Sequence, residues 1–330
     1  FGILRNTTAD GSATASFEAV QSFDTGYFDV FSGVLATGDF NADGRLDVAL
    51  TYDSHTVVAV FLNTTAIGST TFSFTAAQGF PADSQPSALA VGDINGDGKP
   101  DLAITDMAEA AVRVLLNTTG AGSLSASFSP PQSIVSGGLH ALMVAAVQYD
   151  GDGRPDLAVL VEADNQLFLS LLLNTTAAGA GTATFDAPRL TGLEVNPQDI
   201  PSISGGIIEP TIESADFTLD GRLDLETAGA GLFQTVVRAV APPDFMPQQA
   251  FTLVPDPSSG IVLQDSAVGD VNSDSRTDLV FLVQDPSATS GYRVWVLLND
   301  TLPAGVSVSL SGFQDFEVIA DGASSIEVAD

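Results

Sequence analysis

Short apolar runs alternate with polar turns along the whole chain, and no stretch keeps the roughly 3.6-residue apolar period of an amphipathic helix. The pattern is clearest where residues 87–93, 101–105 and 111–117 form three apolar runs and residues 125–128 begin a weaker fourth. Runs this short, with little polar alternation, are typical of inner strands that are covered on both faces. The pattern therefore predicts an all-β chain built from units of four short strands.

An acidic loop of the form Asp-x-Asn-x-Asp-Gly-x-x-Asp lies between the first two runs of each unit. It occurs five times, and we number the copies loop 1 (residues 39–47), loop 2 (93–101), loop 3 (148–156), loop 4 (216–224) and loop 5 (270–278). Their starts are separated by 54, 55, 68 and 54 residues. This regularity predicts a repeat architecture in which each unit packs against its neighbours, and four strands per unit predict the blades of a β-propeller.

The two ends of the chain predict one shared blade. Residues 1–8 match a third strand and its turn, residues 16–17 match the start of a fourth strand, and residues 324–330 match a first strand. With the five full copies, these ends predict a single domain, residues 1–330, of six blades. The shared blade lacks an acidic loop and a second strand. Three alternatives therefore stay open: a seven-bladed parent trimmed at both ends, an incomplete propeller, or another β-repeat.

The acidic loop carries the donor atoms that Ca²⁺ prefers. Side-chain oxygens at positions 1, 3, 5 and 9, a backbone carbonyl at position 7 and a glycine at position 6 indicate a cage of hard oxygen ligands, which suits Mg²⁺ less well. An EF-hand would need a glutamate at position 12, where the chain has Leu50, Ile104, Val159, Thr227 and Phe281. The loops therefore predict up to five Ca²⁺ ions between first and second strands.

The predicted metal ligands, with position 7 contributing its backbone carbonyl, are Asp39, Asn41, Asp43, Arg45 and Asp47; Asp93, Asn95, Asp97, Lys99 and Asp101; Gln148, Asp150, Asp152, Arg154 and Asp156; Asp216, Thr218, Asp220, Arg222 and Asp224; and Asp270, Asn272, Asp274, Arg276 and Asp278. Gln148, Thr218 and Ser275 depart from the consensus, and each departure predicts a weaker site. The alternative is a set of metal-free turns closed by Asp and Asn side chains.

The segment 90–104, Ala-Val-Gly-Asp-Ile-Asn-Gly-Asp-Gly-Lys-Pro-Asp-Leu-Ala-Ile, resembles FG-GAP repeats, which are also called VCBS repeats. Such repeats form the propellers of integrin α-subunits and of many bacterial and fungal surface proteins, and the likeness extends over essentially the whole chain. The resemblance implies that the loops bind calcium structurally and that the propeller serves recognition or adhesion. Some relatives are lectins, but no sugar-site motif can be placed on residues of this chain.

Charge and composition limit the classes of partner that the chain is expected to bind. The formal net charge is −31, from 41 acidic against 10 basic residues, so nucleic acid and anionic membranes are poor partners. The apolar runs are too short to insert into a membrane, and the start of the chain lacks the pattern of an export signal, so we expect a part of a longer protein. Weak calcium sites fill outside cells and stay empty in most cytosols, which predicts a secreted or cell-surface location.

The expected function is a non-catalytic recognition or adhesion module whose ligand is a glycan or an extracellular or cell-surface protein. The alternatives are a polysaccharide-acting enzyme on the same scaffold and a structural subunit that self-associates through edge strands. The only histidines, His55 and His140, fall in different repeats and make no catalytic group, so we predict no enzyme activity. Trp295 is expected to pack in the core.

Two further features have competing interpretations. Glycosylation sequons follow the third strand of five units, at Asn6, Asn63, Asn117, Asn174 and Asn299. An asparagine followed by threonine also makes a good turn, and we favour this interpretation. The long spacing between loops 3 and 4 places extra residues at 191–212, which form either a binding loop or a tolerated insertion.

Overall fold

The structure, a computed structural model, describes residues 1–8, 15–26, 34–52, 56–82, 86–164, 166–192, 211–215, 217, 224–229, 233–238, 249–252, 261–289, 291–299, 310–317, 326 and 328. Every regular element among them is a β-strand, which confirms the all-β prediction. No helix long and apolar enough to span a membrane is found in this part of the chain. His55, most of the 191–212 insertion and most of the predicted last strand at 324–330 lie outside the described residues.

Twenty-two strands are present in the described residues. They are β1 (Gly2–Ile3), β2 (Gln21–Ser22), β3 (Leu35–Gly38), β4 (Asp47–Thr51), β5 (Val57–Phe61), β6 (Gln78–Pro81), β7 (Pro86–Gly92), β8 (Asp101–Asp106), β9 (Ala111–Leu115), β10 (Gln132–Val135), β11 (His140–Val147), β12 (Asp156–Ala163), β13 (Gln166–Leu172), β14 (Arg189–Gly192), β15 (Thr211–Ala215), β16 (Asp224–Gly229), β17 (Phe233–Arg238), β18 (Gln249–Thr252), β19 (Val262–Gly269), β20 (Asp278–Gln284), β21 (Tyr292–Asn299) and β22 (Leu310–Glu317).

The strands from β3 onward form five four-stranded antiparallel sheets, each made of four consecutive strands paired in sequence order. We call these sheets blade 1 (β3–β6), blade 2 (β7–β10), blade 3 (β11–β14), blade 4 (β15–β18) and blade 5 (β19–β22). Strands β1 and β2 pair with each other as a separate two-stranded sheet. The prediction of four strands per repeat is therefore confirmed, whereas the count of six blades in one domain stays a prediction.

In every blade the acidic loop joins the first strand to the second. The residue before position 1 pairs with the Asp at position 9, as in the pairs Gly38 with Asp47, Gly92 with Asp101, Val147 with Asp156, Ala215 with Asp224 and Gly269 with Asp278. The first two strands of each blade therefore pair up to the last residue of the acidic loop, which begins the second strand.

The fourth strand of each repeat lies later than the sequence indicated. Residues 125–128 were expected to begin it, but β10 starts at Gln132, and the earlier segment contributes only an isolated bridge between Asn117 and Phe128. The N-terminal repeat behaves in the same way, with a bridge between Asn6 and Phe17 before β2. The prediction was wrong because this segment bonds to the turn that follows the third strand: the Thr118 N–H donates to the Ser127 carbonyl at 2.8 Å, and the Ser127 N–H donates to the Thr119 hydroxyl at 2.9 Å.

The chain divides into two compact units, one formed by Thr25–Pro197 and the other by Phe1–Asp24 with Gln198–Asp330. In the first unit, β7 packs beside β3 and β4, and β11 packs beside β7 and β8, so blades 1, 2 and 3 follow one another in space. Its core includes Phe40, Leu62, Leu102 and Ile104, all almost completely buried. In the second unit, blades 4 and 5 are neighbours, and Phe281 and Trp295 lie in their core, which confirms the packing role expected of Trp295.

Glycines at the end of two first strands allow this close packing of blades. A Cβ on Gly38 would lie 2.9 Å from Val91 Cγ1, and a Cβ on Gly92 would lie 3.1 Å from Ala146 Cβ. Because these contacts are backbone to neighbouring side chain, the Gly-Asp step that opens loops 1 and 2 is needed for the approach of the next blade as well as for the loop.

Candidate metal centres

Position 1 of the loop organises the backbone that follows it. In loop 1, Asp39 accepts hydrogen bonds from the backbone N–H groups of Asp43, at 3.0 Å, and Gly44, at 2.8 Å. Loops 2 and 5 repeat this arrangement from Asp93 and Asp270. The turn is completed by a left-handed residue at position 6, which is glycine in loops 1, 2 and 3.

Loop 5 has Ser275 at position 6, a departure from the consensus that predicted a weaker site. Its φ of 66° lies in the left-handed region, so the loop keeps the backbone of the consensus with a residue that is less favoured there. The serine N–H still donates to Asp270 at 2.7 Å.

Position 9 ties three parts of the blade together. In loop 1 the Asp47 carboxylate accepts from the N–H of Phe40 at 2.9 Å and from the N–H of Asn63 at 2.6 Å. Phe40 is position 2 of the same loop, and Asn63 follows the third strand. Loops 2, 3 and 5 make the same two kinds of bond, so this carboxylate fixes the loop to the end of the third strand.

Burial disfavours the negatively charged form of these position 9 carboxylates. Removal from water is the largest cause, and it raises the pKa of Asp101 to about 7 and the pKa values of Asp47 and Asp278 to about 6. Backbone hydrogen bonds act in the opposite direction, and the negative charges of positions 1 and 5 add to the increase at Asp47. Each such loop is therefore a place where a cation would relieve an electrostatic cost.

Position 5 is drawn toward the residue at position 7. Asp43 accepts from the backbone N–H of Arg45 at 3.0 Å, and the Arg45 guanidinium also contacts this carboxylate at 2.5 Å. Arg154 and Arg276 lie beside the equivalent carboxylates of loops 3 and 5. The arginine side chain would compete with a metal for the position 5 carboxylate, while the arginine backbone carbonyl is the atom predicted to bind the metal.

The loops fit a hard cation in donor type, although the carboxylates are not gathered into a cage. Among the described residues, no group of three or more Asp, Glu, His or Cys side chains is placed to hold a metal ion. The reason is that the carboxylate oxygens point to backbone N–H groups. In loop 1, however, Oδ1 of Asn41 is buried and has no hydrogen-bond donor among the described residues. A buried oxygen without a partner is costly, and a cation would satisfy it.

Loops 3 and 4 are less complete. In loop 3, position 1 is the exposed Gln148, and the loop keeps the bonds of positions 3, 5 and 9, as where Asp152 N–H donates to Asp150 at 3.0 Å. In loop 4, Asp216, Thr218, Asp220 and Arg222 lie outside the described residues, and Asp224 begins β16. The ligand assignments in all five loops stay predictions.

The asparagines of the sequons form turns. The side-chain oxygens of Asn6, Asn63, Asn117 and Asn174 each accept from the N–H two residues later, at 2.8–2.9 Å. The Nδ2 atoms, which would carry a glycan, donate instead to backbone carbonyls, for example Asn117 to Pro100 at 3.0 Å. Asn117, Asn174 and Asn299 are at most 1% exposed. These contacts bear out the turn interpretation.

A repeated glutamine is important in the structure but was missed in the sequence. Gln78 accepts from the Ala126 N–H of the next blade at 2.8 Å, and Gln132 accepts from Ala183 at 2.8 Å. In the second compact unit, Gln314 makes the equivalent contact and accepts from the Ala15 N–H at 2.5 Å. The signal was present as Gln-x-Phe or Gln-x-Ile at the same point of several repeats, for example residues 78–80 and 132–134.

His140 is tied to its surroundings by structural contacts. Its Nδ1 lies 3.0 Å from the Met107 carbonyl oxygen, and its Nε2 lies 3.8 Å from the Glu162 carboxylate. Nothing in these contacts forms a nucleophile and base pair, which is the arrangement that hydrolytic chemistry would use.

Comparison with known protein families finds a match for three of these loops. A family model described as an FG-GAP-like repeat matches residues 39–104 and 96–159, which contain loops 1, 2 and 3. No curated protein sequence matches the chain.

Two solved structures are similar. One is an Agrocybe aegerita lectin described by its specific recognition of non-reducing terminal N-acetylglucosamine, with 14% identity over 96% of this chain and 90% of that one, and a TM-score of 0.44. The other is the V. cholerae biofilm matrix protein Bap1, with 15% identity over 84% of this chain and 38% of that one, and a TM-score of 0.34. Residues 39–159 thus match FG-GAP-like repeats, and the sheets that contain them are four-stranded and antiparallel.

Proposed function

We propose that the chain is a calcium-stabilised β-propeller that acts outside the cell as a non-catalytic recognition or adhesion module. The observation that carries the calcium part is the unpartnered, buried Oδ1 of Asn41 inside a loop of hard oxygen donors. Position 1, 3 and 5 side chains, the position 7 carbonyl and the position 9 carboxylate would hold the ion. When bound, calcium supplies positive charge that offsets the repulsion among the carboxylates.

Calcium binding is supported most strongly in loops 1, 2 and 5. These loops share the position 1 bonds and the buried position 9 carboxylate with a raised pKa. Gln148 replaces a charged ligand in loop 3, so that loop is expected to bind more weakly.

Removal of calcium is expected to lower the melting temperature. With a Kd of about 10⁻⁴ M and about 1 mM Ca²⁺, each occupied loop contributes about 1.4 kcal/mol, so EDTA should lower the Tm by about 5–15 °C. Differential scanning calorimetry with and without EDTA measures the change, and Mg²⁺ should restore less of it than Ca²⁺. An unchanged Tm would contradict the calcium part of the proposal.

A matched pair of variants assigns the effect to a loop. Asp97→Asn removes a predicted ligand of loop 2, whereas Asp186→Asn removes the same charge from a surface carboxylate near Arg189. We expect the calcium-dependent rise in Tm to shrink in Asp97→Asn and to stay unchanged in Asp186→Asn. Equal behaviour of the two variants would count against loop 2 as a site.

The recognition part is supported by the match of residues 39–159 to FG-GAP-like repeats, whose resemblance implies recognition or adhesion, and by an excess of acidic residues that disfavours nucleic acid. We expect the full chain to be retained on a glycan array, or on extracellular matrix protein, in Ca²⁺ and to be released by EDTA. Glycans that end in N-acetylglucosamine belong in the array, together with the same glycans capped by galactose. Cleavage of a glycan would favour the enzyme alternative, and a size that rises with concentration would favour the self-associating subunit.

A further inference from the structure

The asparagine after the third strand reaches into the acidic loop of the preceding blade. Its Nδ2 donates to the backbone carbonyl at position 2 of that loop. The contacts are Asn117 to Phe40 at 3.0 Å, Asn174 to Ile94 at 2.9 Å, Asn299 to Phe217 at 3.2 Å and Asn6 to Val271 at 3.1 Å. Among the described residues, loops 1, 2 and 4 are thus held by the blade that follows them, and loop 5 is held by Asn6 of the N-terminal segment.

Position 3 makes a second connection to the following blade. Nδ2 of Asn41 donates to the Ser123 carbonyl at 2.9 Å, and the Asn41 carbonyl accepts from the Gly122 N–H at 2.6 Å. In loop 2, Asn95 makes the same two bonds, to the Ala180 carbonyl at 3.0 Å and from the Gly179 N–H at 2.7 Å. These bonds place a backbone carbonyl against the nitrogen end of each amide.

This contact determines which end of the amide is free. Because a carbonyl oxygen accepts only from the nitrogen end, the neighbouring blade directs Oδ1 away from itself. In loop 1 that oxygen is the buried atom that lacks a donor, and in loop 2 it accepts from the Asp97 N–H at 3.1 Å. An aspartate here would set a carboxylate against the Ser123 or Ala180 carbonyl, which explains an amide at a position where calcium chemistry alone would also accept an acid.

We propose that each acidic loop is completed by the following blade, whose asparagine and turn backbone are positioning groups for the cation site. The cation part rests on the calcium binding proposed above, but the clamp itself concerns only protein atoms. The order of the loop therefore depends on blade packing, and occupation of a loop strengthens the contact between two neighbouring blades.

Hydrogen exchange of the full chain, read by mass spectrometry on peptides that cover each loop, tests the clamp. Asn174→Ala removes the bond to Ile94 in loop 2 and the bond to Pro155 in loop 3. We expect exchange in EDTA to become about 3- to 10-fold faster in loop 2, as well as in loop 3 of its own blade, because one buried hydrogen bond to each loop is lost. Loop 1 should be unaffected.

Asn63→Ala is the matched control. Asn63 donates to Leu46 of its own blade, and among the described residues it makes no contact with a preceding loop. We expect faster exchange in loop 1 and no change in loop 2. If Asn174→Ala loosens loop 3 but leaves loop 2 at the wild-type rate, the proposal is overturned.

Two additional measurements keep the test decisive. If Asn174→Ala loses protection from hydrogen exchange in all strands, Asn117→Ala provides the same test on loop 1, because Asn117 donates to the Phe40 carbonyl of that loop. A calcium titration read on the same peptides should shift the midpoint for loop 2 about 3- to 10-fold upward in Asn174→Ala and not in Asn63→Ala. A wild-type protein indifferent to calcium would remove the calcium proposal, while the exchange data in EDTA would still decide the clamp.

Discussion

At the scale of single residues, the position 9 aspartates are expected to make the stability of the loops depend on pH. Asp101 is fully buried, and its carboxylate accepts from Ile94, Asn95 and Asn117 N–H groups. These bonds do not offset the loss of water, so its pKa is raised to about 7. The sequence predicted this residue to be a metal ligand, but the hydrogen bonds that occupy its oxygens depend on where the third strand ends.

The raised pKa values predict a pH dependence for the metal-free protein. A carboxyl that holds its proton more tightly when folded contributes stability below its unfolded pKa, near 3.8, and loses it as the pH rises through about 7 for Asp101 and about 6 for Asp47 and Asp278. Urea denaturation in EDTA should therefore give a free energy of unfolding that falls from pH 5 to pH 8. Asp101→Asn should flatten this fall, and a rise over the same range in EDTA would contradict the assignment.

Asn41→Asp tests why position 3 is an amide. The new carboxylate would face the Ser123 carbonyl, so we expect the free energy of unfolding in EDTA to drop by about 1–3 kcal/mol, measured by urea denaturation. Gln148→Glu is the control, because it adds the same charge to position 1 of loop 3, which is exposed. Equal losses in the two variants would mean that added charge, and not the lost donor, is responsible.

At the scale of elements, the first three strands of a repeat could be predicted and the fourth could not. The apolar runs at 87–93, 101–105 and 111–117 correspond to β7, β8 and β9, because inner strands are set by their own apolar residues. The segment 125–128 is held by contacts from the preceding blade, such as Gln78 with Ala126, and such contacts have no local signature. The inter-blade role of the asparagines was hidden for the same reason, although their turn geometry was correctly favoured.

Gly38→Ala tests the close approach of two blades. The added methyl group would lie 2.9 Å from Val91 Cγ1 and 3.3 Å from Pro100 Cβ, so β3 and β7 would have to separate. We expect a loss of about 1–3 kcal/mol in the free energy of unfolding, measured by chemical denaturation. Gly120→Ala is the control, since no atom lies within 4 Å of its added Cβ, and it should unfold like the wild type.

At the scale of the whole molecule, the excess of 41 acidic over 10 basic residues acts against compactness. Part of this charge is concentrated in the five loops, where calcium would neutralise it. The apolar runs and the regularly spaced acidic loop were sufficient to predict the four-stranded sheets and the FG-GAP-like repeats that are matched over residues 39–159. The blade count and the ligand were not predictable in the same way, because they depend on how repeats associate and on surface shape.

Salt should partly replace calcium if this charge is important. In EDTA, raising NaCl from about 0.01 M to about 0.5 M shortens the screening length from about 30 Å to less than 10 Å, so we expect the Tm to rise. In saturating Ca²⁺ the same change of salt should have a smaller effect. Differential scanning fluorimetry measures both series, and a Tm that is independent of salt in EDTA would contradict this prediction.

The clamp between neighbouring blades also bears on how such a chain can change in length. Blade 2 carries both halves of the contact, a bend that offers the Ile94 carbonyl to blade 3 and Asn117, which reaches back to loop 1. A tandem duplication that copies one whole unit therefore brings matching surfaces for both of its new neighbours. Recombination that exchanges intact units preserves these pairings, whereas a crossover that separates a bend from its partner turn leaves buried backbone groups unmatched.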